Sequence, residues 1–256
     1  MKFDLHLHTN NSFDGFTTVD ELVERRKFLG IDLIGITEHD IINQISILEN
    51  ENFLRGCEFT STSGTHIIGL DLKYENIPIS MNSLSIIKYI KDQKGIVVIP
   101  HPFKPHSGLL ANLNEQFIDD ILAVADLIEL YNGGYYNSPE EHVKIKKIAN
   151  SYNLGMLASS DSHKINQIGL YLTKIYFDNE KNLLNNLKYS PRKFLFDSNR
   201  LGAVRRNSWL NKVKKHAFYQ FLLSFFSKKL RRIFKIMMYK MTSKHIKIPC
   251  YRELKG

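Results

Sequence analysis

Short apolar runs alternate along this chain with stretches whose apolar residues recur every three or four positions, the two spacings expected of buried strands and amphipathic helices. Residues 2–7 read as a strand and 19–29 as the helix that follows it; strands recur at 32–37, at 54–60 and, after the turn at Gly64, at 66–70. A helix at 84–94 is stopped by Gly95, and the alternation continues through strand 96–100, helix 116–125, strand 126–131, helix 139–152 with Pro139 in its first turn, and strand 155–159. A last strand at 170–177 and a closing helix at 180–188 complete the series. Strands alternating with helices imply a parallel sheet covered by helices, within the size range of a single α/β barrel plus an appendage.

Composition changes that picture only near residue 201, where acids almost vanish. Residues 202–256 carry 15 Lys/Arg against the single acid Glu253, while the first 201 residues are net acidic at −5. The chain therefore divides into a body, 1–201, and a basic extension, 202–256, with separate tasks. Within 205–247 the cations interleave with Trp209, Phe221, Leu222, Phe225, Phe226, Ile233 and Phe234 at a spacing compatible with helix. Such a helix suits an anionic membrane surface. It also suits nucleic-acid phosphates, or packing of its apolar stripe on the barrel itself. Cys57 and Cys250, without CxxC spacing, exclude a disulfide framework and make thiol chemistry unexpected. No signal-like start and no uncharged run of about 18 residues is present, so the expectation is a cytoplasmic protein, associated at most with a membrane surface.

The candidate chemistry lies where the predicted strands end. Functional groups of parallel barrels gather at the carboxyl ends of the strands. There stand His6 and His8, which period-two alternation projects to the same side, then Glu38-His39-Asp40, Cys57-Glu58, His66, His101 and Asp161-Ser162-His163. A single histidine is more often a hydrogen-bonded core or surface residue than a ligand. Six of ten histidines recurring with carboxylates at one end of a barrel favour a metal centre of the imidazole–carboxylate type, suited to Zn, Fe or Mn.

The run Asp4-Leu5-His6-Leu7-His8-Thr9 through Asp14-Gly15, with Ile36-Thr37-Glu38-His39-Asp40, Gly56-Cys57-Glu58, His66-Ile67-Ile68-Gly69, Pro100-His101-Pro102 and Ser160-Asp161-Ser162-His163, resembles the polymerase and histidinol phosphatase (PHP) family of metal-dependent phosphoesterases. The likeness covers about the first 180 residues, with the motifs in family order. It implies a distorted seven-stranded (β/α) barrel, here with a basic helical extension, and two or three divalent ions. Transferred by motif, His6, His8 and Asp161 would hold a first ion, and Glu58 would bridge it to a second held by His66 and His101. Asp14, His39 and His163 would hold a third. Glu38 departs from the aspartate many members carry before the histidine, and Asp14 stands where some relatives have histidine, which biases the site toward harder ions such as Mn or Fe. The chemistry implied is attack on phosphorus by a metal-activated hydroxide. Lys104, His106 and Lys164 are the candidates for meeting phosphate charge, with His106 also a candidate general acid. Glu129 either orients a ligand histidine or pairs with a basic neighbour. The resulting expectation is a phosphomonoesterase of a small phosphorylated molecule. The alternatives are a nuclease whose extension holds a single strand, and a membrane-recruited metal scaffold without turnover. Oligomeric state is not legible in the chain.

Overall fold

The computed structural model describes residues 1–42, 52–73, 76–176, 182–200 and 248–254. Two compact units are delimited: Met1–Phe196 with Glu253–Gly256, and Asp197–Arg252. The first begins with β1 (Lys2–Leu7), α1 (Val19–Leu29), β2 (Leu33–His39), β3 (Phe53–Thr60) and β4 (His66–Leu70). It continues through α2 (Ser83–Asp92), β5 (Ile96–Ile99), α3 (Ile118–Val124), β6 (Leu127–Asn132), α4 (Pro139–Ser151) and β7 (Gly155–Ser159). The last elements are β8 (Tyr171–Ile175), α5 (Leu183–Tyr189), β9 (Arg192–Asp197) and β10 (Tyr251–Leu254).

Local chemistry sets the helix ends. Thr18 with Glu21, and Ser138 with Glu141, form reciprocal capping boxes at α1 and α4, and Pro139 occupies the first turn of α4. Gly30 ends α1 in the left-handed conformation with φ of 58°.

The strands form one sheet in the order β10-β9-β8-β1-β2-β3-β4-β5-β6-β7. The expected parallel sheet needs correction, and the seven expected barrel strands belong to a larger sheet. The sheet is mixed: β4 runs antiparallel to both β3 and β5. Only Ser61–Thr65 separate β3 from β4, too few residues for a parallel crossover, so the chain must turn straight back. The sheet also has ten strands among the described residues, because β8 adds antiparallel to β1, β9 antiparallel to β8, and β10 follows beside β9. Among the described residues, β1 and the segment after β7 meet in an isolated parallel bridge between Leu7 and Ser162. There His8 N–H donates to Ser162 O at 2.8 Å and Asp161 N–H to His6 O at 2.9 Å. Asp4 reinforces this junction, accepting from Ser160 N–H and Gly169 N–H at 2.9 Å each; burial pushes its carboxyl up to about 6 against the lowering effect of those donors.

Two apolar clusters flank the sheet. One joins Val97, Ile99, Ile128 and Leu130 to the inner faces of α2, α3 and α4, including Ile86, Ile90, Ile121 and Ile145. The other packs Phe3, Leu5, Ile68, Leu70, Val98, Leu127 and Leu157 together, with Leu33 and Leu54 beside them. Close approach at this second cluster requires glycine: a Cβ on Gly56 would lie 2.8 Å from Gly69 O and 3.0 Å from Leu70 Cδ2. By strand alternation Leu54 shares its face with Glu58, Ile68 with His66, and Leu127 with Glu129. Apolar residues thus fill one end of this face and polar residues the other.

The predicted helical extension 202–256 falls outside the described residues from 202 to 247, and Tyr251–Leu254 is strand instead of helix. Short and half-exposed, that stretch gives no helical periodicity to read. In the second unit the described residues bond to one another: Ser198 N–H donates to Cys250 O at 3.0 Å, Cys250 N–H to Asp197 Oδ1 at 2.9 Å, and Asn199 Nδ2 to Ile248 O at 2.8 Å. Among the described residues no helix is long and apolar enough to cross a membrane.

Candidate metal centre

Around the carboxyl ends of the parallel strands, and the amino end of the antiparallel β4, polar side chains from several segments converge on a common point. Glu58 from β3 is at its centre. Its Oε1 lies 2.8 Å from His66 Nδ1 and 2.9 Å from His101 Nε2; its Oε2 lies 3.4 Å from His6 Nε2, 3.3 Å from His8 Nε2 and 3.2 Å from His39 Nδ1. Asp161 Oδ1 faces the same His6 and His8 nitrogens at 3.5 and 3.6 Å, and His163 Nδ1 at 3.7 Å. On the outer side Asp14 Oδ2 contacts His163 Nε2 at 2.9 Å and His39 Nε2 at 3.5 Å. All nine side chains singled out in the sequence converge, and they fall into four overlapping groups: His8/Asp14/His39/His163, His6/His8/Glu58, His6/His101/Asp161 and His39/Glu58/His66.

Burial makes this arrangement costly unless the charges are balanced. His6, His8, Glu58, His101 and Asp161 are all at most 3% exposed. Burial alone would lower the pKa of His6, but the Asp161, Glu129 and Glu58 carboxylates outweigh it and hold the ring well above its ordinary value. The same contest raises His8 to about 9, with Asp161 and Glu58 opposing desolvation. Reciprocally, burial would raise Glu58 and Asp161, yet His6 and its neighbours hold both well below the carboxylate range. His101 differs: burial depresses it, and Lys104 adds to the effect.

The donor set fits divalent metal. His6 Nε2, His8 Nε2, His101 Nδ1, Asp14 Oδ1 and Asp161 Oδ2 are buried with no hydrogen-bond partner, an expensive condition for polar atoms unless another group occupies them. The four separations between the two Nε2 atoms and Glu58 Oε2 or Asp161 Oδ1 run from 3.3 to 3.6 Å. Ligands about 2.0–2.2 Å from a tetrahedral ion stand about 3.3–3.6 Å from one another.

Surrounding residues fix the donors. Glu129, whose role the sequence left open, accepts from His6 Nδ1 at 2.9 Å through Oε1, and through Oε2 from His101 N–H at 2.8 Å and Asn132 Nδ2 at 2.7 Å. Glu38 is fully buried and accepts from Thr9 N–H, the Thr9 hydroxyl and Ser12 N–H, so it shapes the loop after His8. Ser12 Oγ in turn lies 3.3 Å from His8 Nδ1 and accepts from His39 N–H at 2.9 Å. Two donor residues hold left-handed backbone, His101 at φ 27° and Asp161 at φ 46°, a conformation that non-glycine residues keep only when their surroundings impose it. The position of Glu129 in the strand-end series was its one sequence signal; Asn132 and Ser12 gave none.

The three predicted phosphate-side residues separate. Lys104 Nζ lies 3.6 Å from Asp161 Oδ2 with 32% of its side chain exposed. Burial would lower its pKa, but Asp161, Glu58 and Glu129 raise it, so it stays a cation. His106 is exposed at φ 69°, outside the donor groups. Lys164 places its Nζ 5.8 Å from the Phe16 ring centroid.

A model of the PHP domain family matches residues 4–200. An uncharacterized protein of Methanocaldococcus jannaschii is 30% identical over 164 residues, covering 58% of this chain and 91% of that protein. A two-domain protein of Bacteroides vulgatus containing a predicted PHP-like metal-dependent phosphoesterase superposes with a TM-score of 0.60 at 20% identity, over 77% of this chain and 64% of that one. A lesion-specific endonuclease of Pyrococcus furiosus gives a TM-score of 0.52 at 15% identity, over 75% of this chain and 57% of that one. The chain thus spans less than two thirds of the length of both structures, and at these identities the likeness is one of fold.

Proposed function

The chain belongs to the PHP domain family of metal-dependent phosphoesterases, and from that premise we propose that it hydrolyses a phosphomonoester of a small molecule. The observation that carries the reading is the convergent donor set: nine side chains with none missing, five of them buried, and several with a buried atom that has no hydrogen-bond partner. We assign His6, His8 and Asp161 to one divalent ion, Glu58 as the bridge to a second with His66 and His101, and Asp14, His39 and His163 to a third. The strands β1–β7 serve as the distorted barrel that holds them. Ions of this kind supply a water acidic enough to ionise near neutral pH and a positive clamp on phosphoryl oxygens. Glu58 and Asp161 hold the imidazoles in place, and their negative charge lets several cations share one small volume. Lys104, cationic and partly exposed beside Asp161, pairs with a phosphoryl oxygen entering from solvent. His106, on the rim of the same proline-bounded loop, donates a proton to the leaving oxygen, and Lys164 adds charge farther out. Mn or Fe is the preferred occupant, with Zn next, because Asp14 adds a hard oxygen donor.

A second reading, a nuclease, is favoured by the fold likeness to the endonuclease and by the basic composition of 205–247, which neutralises phosphates of a strand equally well. A non-catalytic scaffold is disfavoured, since loss of turnover would relax the donor set. For the phosphomonoesterase, the basic segment meets anionic lipid at the cytoplasmic membrane surface. The test is a panel of phosphomonoesters and single-stranded oligonucleotides offered to the Mn-loaded protein, alongside His8→Ala and Asp161→Ala. Turnover of monoesters, lost in both variants, is expected. Cleavage of oligonucleotides alone selects the nuclease, and bound metal without any turnover selects the scaffold.

A further inference from the structure

The donor residues of the centre come from several strands, yet one carboxylate that is not among them touches the fixtures of two. Glu129 is 0% exposed and uses both oxygens: Oε1 takes His6 Nδ1, while Oε2 takes the backbone N–H of His101 and the side-chain amide of Asn132. Asn132 then passes the constraint on, its Oδ1 accepting from Gly134 N–H at 2.7 Å and Tyr135 N–H at 2.8 Å. Gly134 lies against the third participant: a Cβ there would stand 2.2 Å from Asp161 Oδ2.

Resting on the metal-centre reading, we propose that Glu129 is a positioning residue that acts with Asn132 to set three donors at once: the ring of His6, the left-handed backbone of His101, and the space above Asp161 Oδ2. The physical reason is the geometry of acceptors. With Glu129 accepting at Nδ1, a neutral His6 ring, the form that would hold metal, keeps its proton there and leaves its lone pair at Nε2, the atom that points at Glu58 and Asp161. His101 keeps φ at 27° because its N–H has a fixed partner. His6, His101 and Asp161 also form one of the four donor groups, so a single carboxylate governs a complete group.

The glutamine variant separates this role from simple structure. A Glu129→Gln amide keeps size and shape but has one donor end. Turned toward His6, it favours the opposite tautomer; turned toward His101 and Asn132, it sets donor against donor. The full chain, stripped with chelator, is titrated with Mn by calorimetry, with melting of the metal-free protein as a control. Expected is about a tenfold to hundredfold weaker Mn affinity for Glu129→Gln, a melting temperature close to wild type, and partial recovery in Glu129→Asp. Equal Mn affinity in wild type and Glu129→Gln overturns the proposal while leaving the metal centre standing; no uptake by wild type overturns both. Should Glu129→Gln fail to fold, the Zn-loaded wild type decides by nitrogen NMR. A proton on His6 Nδ1 is expected, and a proton on Nε2 overturns the assignment.

Discussion

The two ends of one sheet face obey opposite rules. At the end built from Phe3, Leu5, Ile68, Leu70, Val98 and Leu127, contacts are apolar and non-directional, and sequence alternation suffices to place them. At the other end of that face, Glu58 and Glu129 sit at equal burial and His66 is partly exposed, all with directional partners at 2.7–2.9 Å. The first end gains stability from packing. The second holds buried charge whose balance depends on a specific count of acids, imidazoles and ions. Substitutions should therefore sort by which end they strike.

The sharpest break expected is Glu58→Gln, which removes the charge facing five imidazoles. Its kcat/KM on any accepted phosphate ester should fall about 10³-fold or more, with elemental analysis showing reduced metal and circular dichroism unchanged. Leu70→Ala should do the converse. It should lose about 2–5 kcal/mol in urea unfolding while metal content per folded molecule stays at the wild-type value. An activity loss in folded Leu70→Ala as deep as that of Glu58→Gln would erase the distinction between the ends.

Smaller effects sharpen it. Lys104→Ala should cost about tenfold in kcat/KM, mostly through KM, since the side chain is partly in solvent. Lys164→Ala should cost less than Lys104→Ala, and His106→Ala should act on kcat for esters with poor leaving groups. The smallest is a pH effect in chelated protein. His8 titrates near 9 in the folded state against 6.5 ordinarily, so its stabilising contribution is complete below 6.5 and disappears as pH rises through 9. Glu58 and Asp161, depressed when folded, contribute above about 4.5 and lose that contribution in acid. Melting of the chelated protein should peak between these limits and decline by pH 9. Bound Mn should flatten the alkaline side, and Leu70→Ala should shift the whole curve without changing its shape.

What was legible in the chain follows the same division. Period-two and helical spacings located most elements, because burial of one face leaves a periodic trace. Eight of the nine donors were legible because they stand at an end of a predicted strand or in the loop beside it, whereas Asp14, in the loop after β1, was named only through the resemblance to the PHP family. The antiparallel course of β4 was available in principle from the five residues of Ser61–Thr65 and was missed, because apolar spacing carries no direction. Strand β9 was missed although Phe194 and Phe196 alternate, for Pro191 and the flanking polar residues resemble a loop. The supporting set around the donors was the least legible part. The Asn132 side chain bonds to near neighbours, Glu129, Gly134 and Tyr135, and Ser12 to His8, Glu38 and His39; individual hydrogen bonds of this kind leave no periodic trace. Glu38 is the instructive case: its neighbour His39 has a donor's place, whereas its own carboxylate turns to the backbone of Thr9 and Ser12.

The hydrogen bonds joining Ser198 and Asn199 to Cys250 and Ile248 bring the chain back to where it departed. Whatever the residues between them do, their exit and return points are neighbours, so a short turn from Arg200 to Ile248 can replace them with Asp197 and Cys250 still paired. A variant in which such a turn replaces residues 201–247 keeps all nine candidate donors, and comparing it with the full chain shows which properties depend on the basic segment.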